Sequence, residues 1–370
     1  MRRLFKLMAP ALLALVAAVT PPATSAANPA ANPAATPADA NAPLLARIEH
    51  VATLPGTGHS WGFAALDPAR RLLFLARREN GLTVFDVERQ RAVRTLDNST
   101  GANGVVLVPA ADRAYATNMD GSVTVVRLSD LTTLQRIAVA DANLNSAVYD
   151  PRSDRVIIAS GRRAARSTLY VLDPRTDRIV ASRDFDIRKI DPPLLTGDGG
   201  LLLPMRDEGK VLLLAADTLD VRATWTFAGC ELPSALAADT QSRHLFVACR
   251  GARPVLAVAD LDTGVLKTTL PATRAINALA WDAGRKRLLA PSGADASLTI
   301  YARIDADHYQ ALGALATRSW AHNMAYDAER GIAYLFTMDV TQPAASDGSK
   351  ADPVFHADTF SVLTVTLAPQ

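Results

Sequence analysis

The chain has few of the residues that usually announce an enzyme. Only two cysteines, Cys230 and Cys249, occur in 370 residues, and neither sits in a CxxCH run, so covalent attachment of a c-type haem is excluded. There are six histidines and no HExxH, no nucleophile elbow and no phosphate-cradling glycine-rich loop. Gly197-Asp198-Gly199-Gly200 reads as a hairpin turn rather than a phosphate loop. No long amphipathic helical pattern appears. The one extended apolar run, from Leu7 to Val19, is about 13 residues, short of the roughly 20 a membrane-spanning helix needs.

That run has the setting of a secretory signal. Arg2, Arg3 and Lys6 precede it, and the small residues Ala23-Thr24-Ser25-Ala26-Ala27 follow. Residues 1–26 are therefore expected to be a cleaved signal peptide, with a retained anchor as the alternative, and the protein is placed in the periplasm or outside the cell. No transmembrane segment is expected after cleavage. Residues 27–43 consist almost entirely of Ala, Pro and Asn, a composition that cannot bury a core and predicts a disordered spacer. The signal carries three positive charges and no acid, so its removal takes the formal charge from +2 to −1. A whole-surface attraction to nucleic acid is not expected from that balance.

What remains, 44–370, is repetitive. A turn, most often Asp-Pro or Asp-Ala in character, precedes a strongly apolar stretch seven times, at Asp67, Pro109, Asp150, Thr196, Asp239, Asp282 and Asp327, with spacings of 41 to 46 residues. Each unit holds four short segments rich in Val, Leu, Ile and Thr, separated by Asp, Gly and Pro; second strands are expected at Leu72–Ala76 and Ile332–Thr337, a third at Phe360–Leu367 and a first at Asn277–Trp281, among others. Four strands per repeat of this length fit the blade of a β-propeller, and seven repeats predict an all-β, seven-bladed ring of antiparallel blades. A β-sandwich and an open solenoid are the alternatives. The last repeat stops after its third strand near Leu367, and Leu45–Leu54 is the missing fourth. The N-terminal strand is thus expected to pair into the last blade and close the ring, removing an open sheet edge.

Cys230 begins the first strand of the fifth repeat and Cys249 ends its second, with the turn at 239–242 midway between them, so the two are expected to face each other across neighbouring antiparallel strands. In an exported chain this pattern predicts a structural disulfide; a redox or metal-binding pair is the alternative. Tyr115-Ala116-Thr117-Asn118, followed by Asp120-Gly121-Ser122-Val123-Thr124-Val125, resembles the Tyr-Val-Thr-Asn repeat of the YVTN (YncE-like) β-propeller family, as do the turns Asp260-Leu261-Asp262-Thr263-Gly264 and Asp173-Pro174-Arg175-Thr176. The resemblance covers about 45–367 and is carried best by the second, third and fifth repeats. It implies an exported or surface-associated propeller, mostly without enzymatic activity in that family. No repeat has the Gly-His…Trp-Asp pair of a WD40 blade.

In a four-stranded meander, the segment leading into the first strand and the loop between the second and third strands share one face. Propeller ligands usually meet this mouth face around the axis. The leading segments contribute His59, Trp61, Asn103, Asn145, Arg188, Glu231, Arg274, Arg318, Trp320 and His322, which are nominated as ligand-binding residues. The second-to-third loops add Arg77, Arg78, Arg162, Arg163, Arg166, Arg206, Arg250 and Arg253, suited to carboxylate or phosphate unless paired locally. The last repeat's loop, about 338–359, is far longer than its counterparts and carries Asp347, Asp352, His356 and Asp358. It should lie beside the first blade. Three readings are open there: a divalent transition metal (Zn²⁺ or Cu²⁺) on His59, His322 and His356; a pocket for an anionic or aromatic ligand, a peptide or a protein; or packing of the closing seam. His50, His244 and His308 are read as structural. The function expected is that of a binding or scaffold propeller with no catalytic residues; a lactonase-type hydrolase using Glu231, Asp191 and His322 is the alternative.

Overall fold

The computed structural model describes residues 44–343 and 351–369. The expected signal peptide, the spacer and Asp347 lie outside the described residues. Seven four-stranded antiparallel sheets follow one another around a ring. Blade 1 spans 64–95, blade 2 102–138, blade 3 144–185, blade 4 194–225, blade 5 233–271 and blade 6 280–316. Blade 7 combines 323–367 with the N-terminal strand 46–54. Its strand order confirms the closure: Ala46–Leu54 lies antiparallel to Phe360–Leu367, with Ala46 opposite Leu367 and Leu54 opposite Phe360. No helix among the described residues is long and apolar enough to cross a membrane.

The repeated turn has a physical reason. In six of the seven blades the residue at or just after the end of the inner strand accepts from the turn it opens: Asp67 from Arg70 N, Asp150 from Ser153 N, Asp239 from Ser242 N, Asp282 from Arg285 N, Asp327 from Arg330 N, and Thr196 from Gly200 N, while blade 2 turns through the short 3-10 helix Pro109–Ala111. Such Asx-type turns favour Asp and Thr because the short side chain replaces a missing backbone acceptor. The turn then resolves through one left-handed residue, Arg71, Asp112, Asp154, Gly199, Arg243, Lys286 or Gly331 in blades 1 to 7.

The second strands are buried on both faces, and their alternate residues serve different neighbours. In Leu72–Ala76, Leu73 and Leu75 pack into blade 7, while Phe74 and Ala76 pack into blade 2. This period-two division recurs around the ring, giving one apolar cluster at each of the seven blade junctions. Burying one such large side chain is worth about 1.5–3 kcal/mol. The outermost strands bury little, and Arg91–Thr95 is exposed throughout.

Cys230 and Cys249 form the expected disulfide, with Cα atoms 5.1 Å apart. Cys230 precedes the first strand of blade 5, which begins at Pro233, so the bridge ties the leading segment to the end of the second strand instead of crossing two paired strands.

Candidate functional site

At the mouth face the inner strands are drawn together by side chains that cross from blade to blade. Asn103 Nδ2 donates to Leu144 O at 2.8 Å, Ser234 Oγ to Ile276 O at 3.1 Å, Asn277 Nδ2 to Asn323 Oδ1 at 2.7 Å and Asn323 Nδ2 to Gly62 O at 2.8 Å. Blades 1 and 2 meet through Phe63 N and Asn103 O, 2.8 Å apart. Gly62 is required there: a Cβ on it would stand 1.7 Å from Asn103 O. Asn103, nominated as a ligand contact, is thus a buried clasp, and Asn145 is buried beside it with its carbonyl accepting from Thr117 Oγ1.

Inside this ring lies a group of cations. The residue six positions after the first of each second strand is equivalent in all blades: Arg78, Met119, Gly161, Arg206, Arg250, Gly293 and Met338. Three are arginine and none is acidic. Arg206 makes a two-point ion pair with Asp191, with one N–O distance of 2.8 Å, and Lys189 approaches the same carboxylate at 3.7 Å. Burial pushes the Asp191 carboxyl up against the pull of Arg206, Lys189 and Arg250. Arg78 uses Nε to donate to Asn103 Oδ1 at 2.9 Å. Arg250 has no carboxylate within salt-bridge reach among the described residues. Burial lowers the pKa of both Arg78 and Arg250, and Arg206 lowers that of Arg250 further.

His322, from the segment leading into blade 7, feels these charges. Its pKa is depressed to about 4, first by burial, then by the positive fields of Arg250 and Arg78. Blades 5 and 7 are not neighbours, nor are blades 5 and 1. Only at the axis can side chains from all three act on one imidazole.

The long loop of blade 7 docks on the segment leading into blade 1, as expected. Val340–Thr341 and Val354–Phe355 form a small ribbon, Asp358 Oδ1 accepts from Gly56 N at 2.8 Å, and His59 Nδ1 lies 3.0 Å from Phe355 O. Phe355 stands edge-on to both Trp61 and Trp320, its ring centre 5.3 Å from each, and His322 is 6.1 Å from both indoles. Trp61 is buried and packs against Phe360, whereas Trp320 is 37% exposed. The two tryptophans thus share one seam, divided into an inner packing residue and an outer lip. Arg77 is used inside that seam, donating to Pro55 O at 2.7 Å with its guanidinium over the Phe360 ring.

The three histidines named for a metal do not assemble. His59 meets Phe355 O, His356 Nε2 meets Thr341 Oγ1 at 2.8 Å, and His322 lies against the indoles. No three His, Cys, Asp or Glu side chains among the described residues are placed to hold a metal ion. The physical reason is that the loop's main chain and hydroxyls occupy the imidazoles that proximity alone would have offered. Histidines read as structural have partners elsewhere: His244 is buried against Tyr309 beside a cleft on the opposite face, and His308 pairs with Asp305. His50 lies in the closing strand opposite Thr364.

The other nominated residues form the outer rim. Arg188 is exposed. Glu231 is exposed and accepts from Ala252 N, Arg274 pairs with Asp295, and Arg318 pairs with Asp339 and donates to Ser361 Oγ. Of the loop arginines, Arg162 pairs with Asp207 and Arg166 with Asp186. Of the residues named for acid–base work, Glu231 lies on the rim and Asp191 is engaged by Arg206, and no hydrogen bond joins Glu231, Asp191 and His322 among the described residues.

No protein-family model matches the chain, and no curated protein matches it. Solved structures do. A chain in the crystal structure of the mitotic checkpoint complex superposes with a TM-score of 0.69 at 16% identity, covering 92% of this chain and 97% of that one. A chain of Kuenenia stuttgartiensis hydrazine synthase gives 0.65 at 12% identity, covering 82% and 97%. Likeness at these identities supports the architecture and leaves the YVTN assignment as a resemblance: the chain is a seven-bladed β-propeller.

Proposed function

We propose that this protein is an exported, non-enzymatic binding propeller of the YVTN type that takes its ligand or protein partner at the mouth face, in the periplasm or outside the cell. The observation that carries this reading is the convergence of polar and charged side chains from blades 1, 4, 5 and 7 on the axis. Apolar packing would have closed the axis at lower cost, since a buried cation without a partner is expensive. Propeller chains occur in assemblies, as the mitotic checkpoint complex illustrates, and that supports a binding role in general. Export rests on the residues of 1–26.

Hydrogen exchange on the full chain tests the face. A ligand or partner should protect amides in 100–104, 250–253 and 318–323 and leave the opposite turns at 67–71 and 239–243 unchanged; protection of the turns alone would move the site to the other side. Cell fractionation tests export: deleting 2–26 should retain the protein in the cytoplasm, and undiminished export would refute that part.

A further inference from the structure

We propose that the axis is a site for a small planar organic anion, its carboxylate or phosphate head held by Arg250 and Arg78 and its flat body lying against Trp320. This rests on the reading of the mouth as the binding face. Three independent features converge on that chemistry.

The first is the distribution of charge around a repeated position. Of the seven equivalent residues that end the second strands, three are arginine, and only Arg206 has a carboxylate of its own. Arg250 is left without one among the described residues, and Arg78 is held by an amide through Nε, which leaves the two terminal nitrogens for another acceptor. Glu79 acts on Arg78 at a distance, but its carboxylate accepts from Ser60 Oγ at 2.6 Å. Both half-buried guanidinium groups have lost part of their water, and Arg206 adds repulsion on Arg250. An oxyanion offsets both costs and accepts paired N–H donors.

The second feature is the aromatic lip. Trp320 adopts φ 65°, a left-handed conformation that a bulky side chain rarely takes. Two short backbone bonds hold it, Trp320 N to Gly293 O and His322 N to Trp320 O, both 2.8 Å. Gly293, at the same repeated position as the arginines, makes the space: a Cβ there would come within 3.0 Å of His322 and 3.1 Å of Trp320 Cα. A half-exposed indole kept at the mouth by a strained backbone does not serve the core, which Trp61 already fills. Strain of this kind collects at ligand sites.

The third is His322, which joins the two. Its ring touches both indoles and lies within the fields of Arg250 and Arg78. One imidazole N–H is turned to the Trp320 main chain, and the other nitrogen has no hydrogen-bond partner among the described residues. The remaining nitrogen of this neutral ring is an acceptor, open to a hydroxyl or N–H on the ligand's body, and the ring adds no third charge beside the two guanidinium groups.

Calorimetry and tryptophan fluorescence on the full chain, with benzoate, phenyl phosphate, benzyl alcohol and benzylammonium as probes, test this. Benzoate or phenyl phosphate should bind at least tenfold more tightly than the neutral and cationic analogues, and the tighter of the two identifies the head group. Binding should weaken with salt. Arg250→Met should cost tenfold or more without lowering thermal stability, and Trp320→Leu should weaken benzoate while leaving acetate unchanged. Acidic probes that bind no better than benzyl alcohol, that do not bind at millimolar concentration, or that ignore Arg250→Met would overturn the proposal. If benzyl alcohol or benzylammonium binds instead and is lost in Trp320→Leu, the anion inference falls and the mouth remains the binding face. A probe whose binding survives both substitutions removes the two together.

Discussion

His322 makes the charge at the axis measurable as stability. Its folded pKa of about 4 lies below the ordinary histidine value of 6.5, so the unfolded chain holds the proton more tightly than the native one. The native state therefore has its full stability from this group above pH 6.5 and loses it as the pH falls toward 4. Linkage between these two values gives a loss of about 2 kcal/mol at pH 5 and about 3 kcal/mol at pH 4, taking 1.36 kcal/mol per pKa unit. Urea unfolding of the wild type and of His322→Gln at pH 7.5 and pH 5 isolates the term. The carboxylates whose pKa values are lowered, such as Asp120 and Asp260, are common to both proteins and titrate mostly below this window. The depressed His244 is also common to both. The wild type should lose about 2 kcal/mol more than the variant between the two pH values. Arg250→Met should shrink that difference, because it removes the cation that depresses the imidazole more strongly than Arg78 does. Equal losses in wild type and His322→Gln, or an imidazole resonance that titrates near 6.5, would refute the placement of His322 in a dry, cationic site.

Removing residues 44–54 should expose Phe360–Leu367 as an open edge and convert the protein to soluble aggregates or an unfolded chain in size-exclusion chromatography; an unchanged monomer with unchanged melting temperature would refute ring closure as the source of stability. Replacing both Cys230 and Cys249 by Ser should cost about 3 kcal/mol in urea unfolding, the chain-entropy value for a loop of about 20 residues, and a negligible change would show that the leading segment is held without the bridge. Lys286 holds a left-handed turn at φ 50°, so Lys286→Gly should be neutral or stabilising by up to about 1 kcal/mol and Lys286→Val destabilising; the opposite order would mean that the turn geometry does not govern this hairpin.

The fold was legible because its causes are local and repeated. An aspartate that caps its own turn, followed by a strand whose odd and even residues face different neighbours, leaves a mark in every repeat. The second strands Leu72–Ala76 and Ile332–Thr337 match their expected bounds at both ends, and Phe360–Leu367 does as well. Blade 6 was less clear: the first strand expected from Asn277 begins only at Ala280, because Asn277 is turned to the blade 7 clasp through Asn323. Repetition also fixed the closure, since a blade with three strands and a lone strand at the other end admit one pairing in a ring.

The site was legible only as a region. Residues that lead into the inner strands were chosen for polarity, and polarity has two uses there. Asn103 and Asn323 satisfy the neighbouring backbone, Arg274, Arg318 and Glu231 satisfy the rim, and Trp320 and Arg188 are left exposed. The distinction depends on which partner a side chain finds across a blade junction, and nothing in the order of residues specifies that. The arginines of the second-to-third loops show the same ambiguity: Arg162, Arg166 and Arg206 found acids, and Arg250 did not. One signal in the sequence separates the arginines of the axis from those of the rim. Aligning the repeats on the first residue of each second strand puts Arg78, Arg206 and Arg250 in one column with two glycines and two methionines, and sevenfold geometry turns a column into a ring around the axis. A repeat protein writes its core in what the columns share. Its specificity lies in the column where the repeats disagree, because there the selection cannot be for the blade.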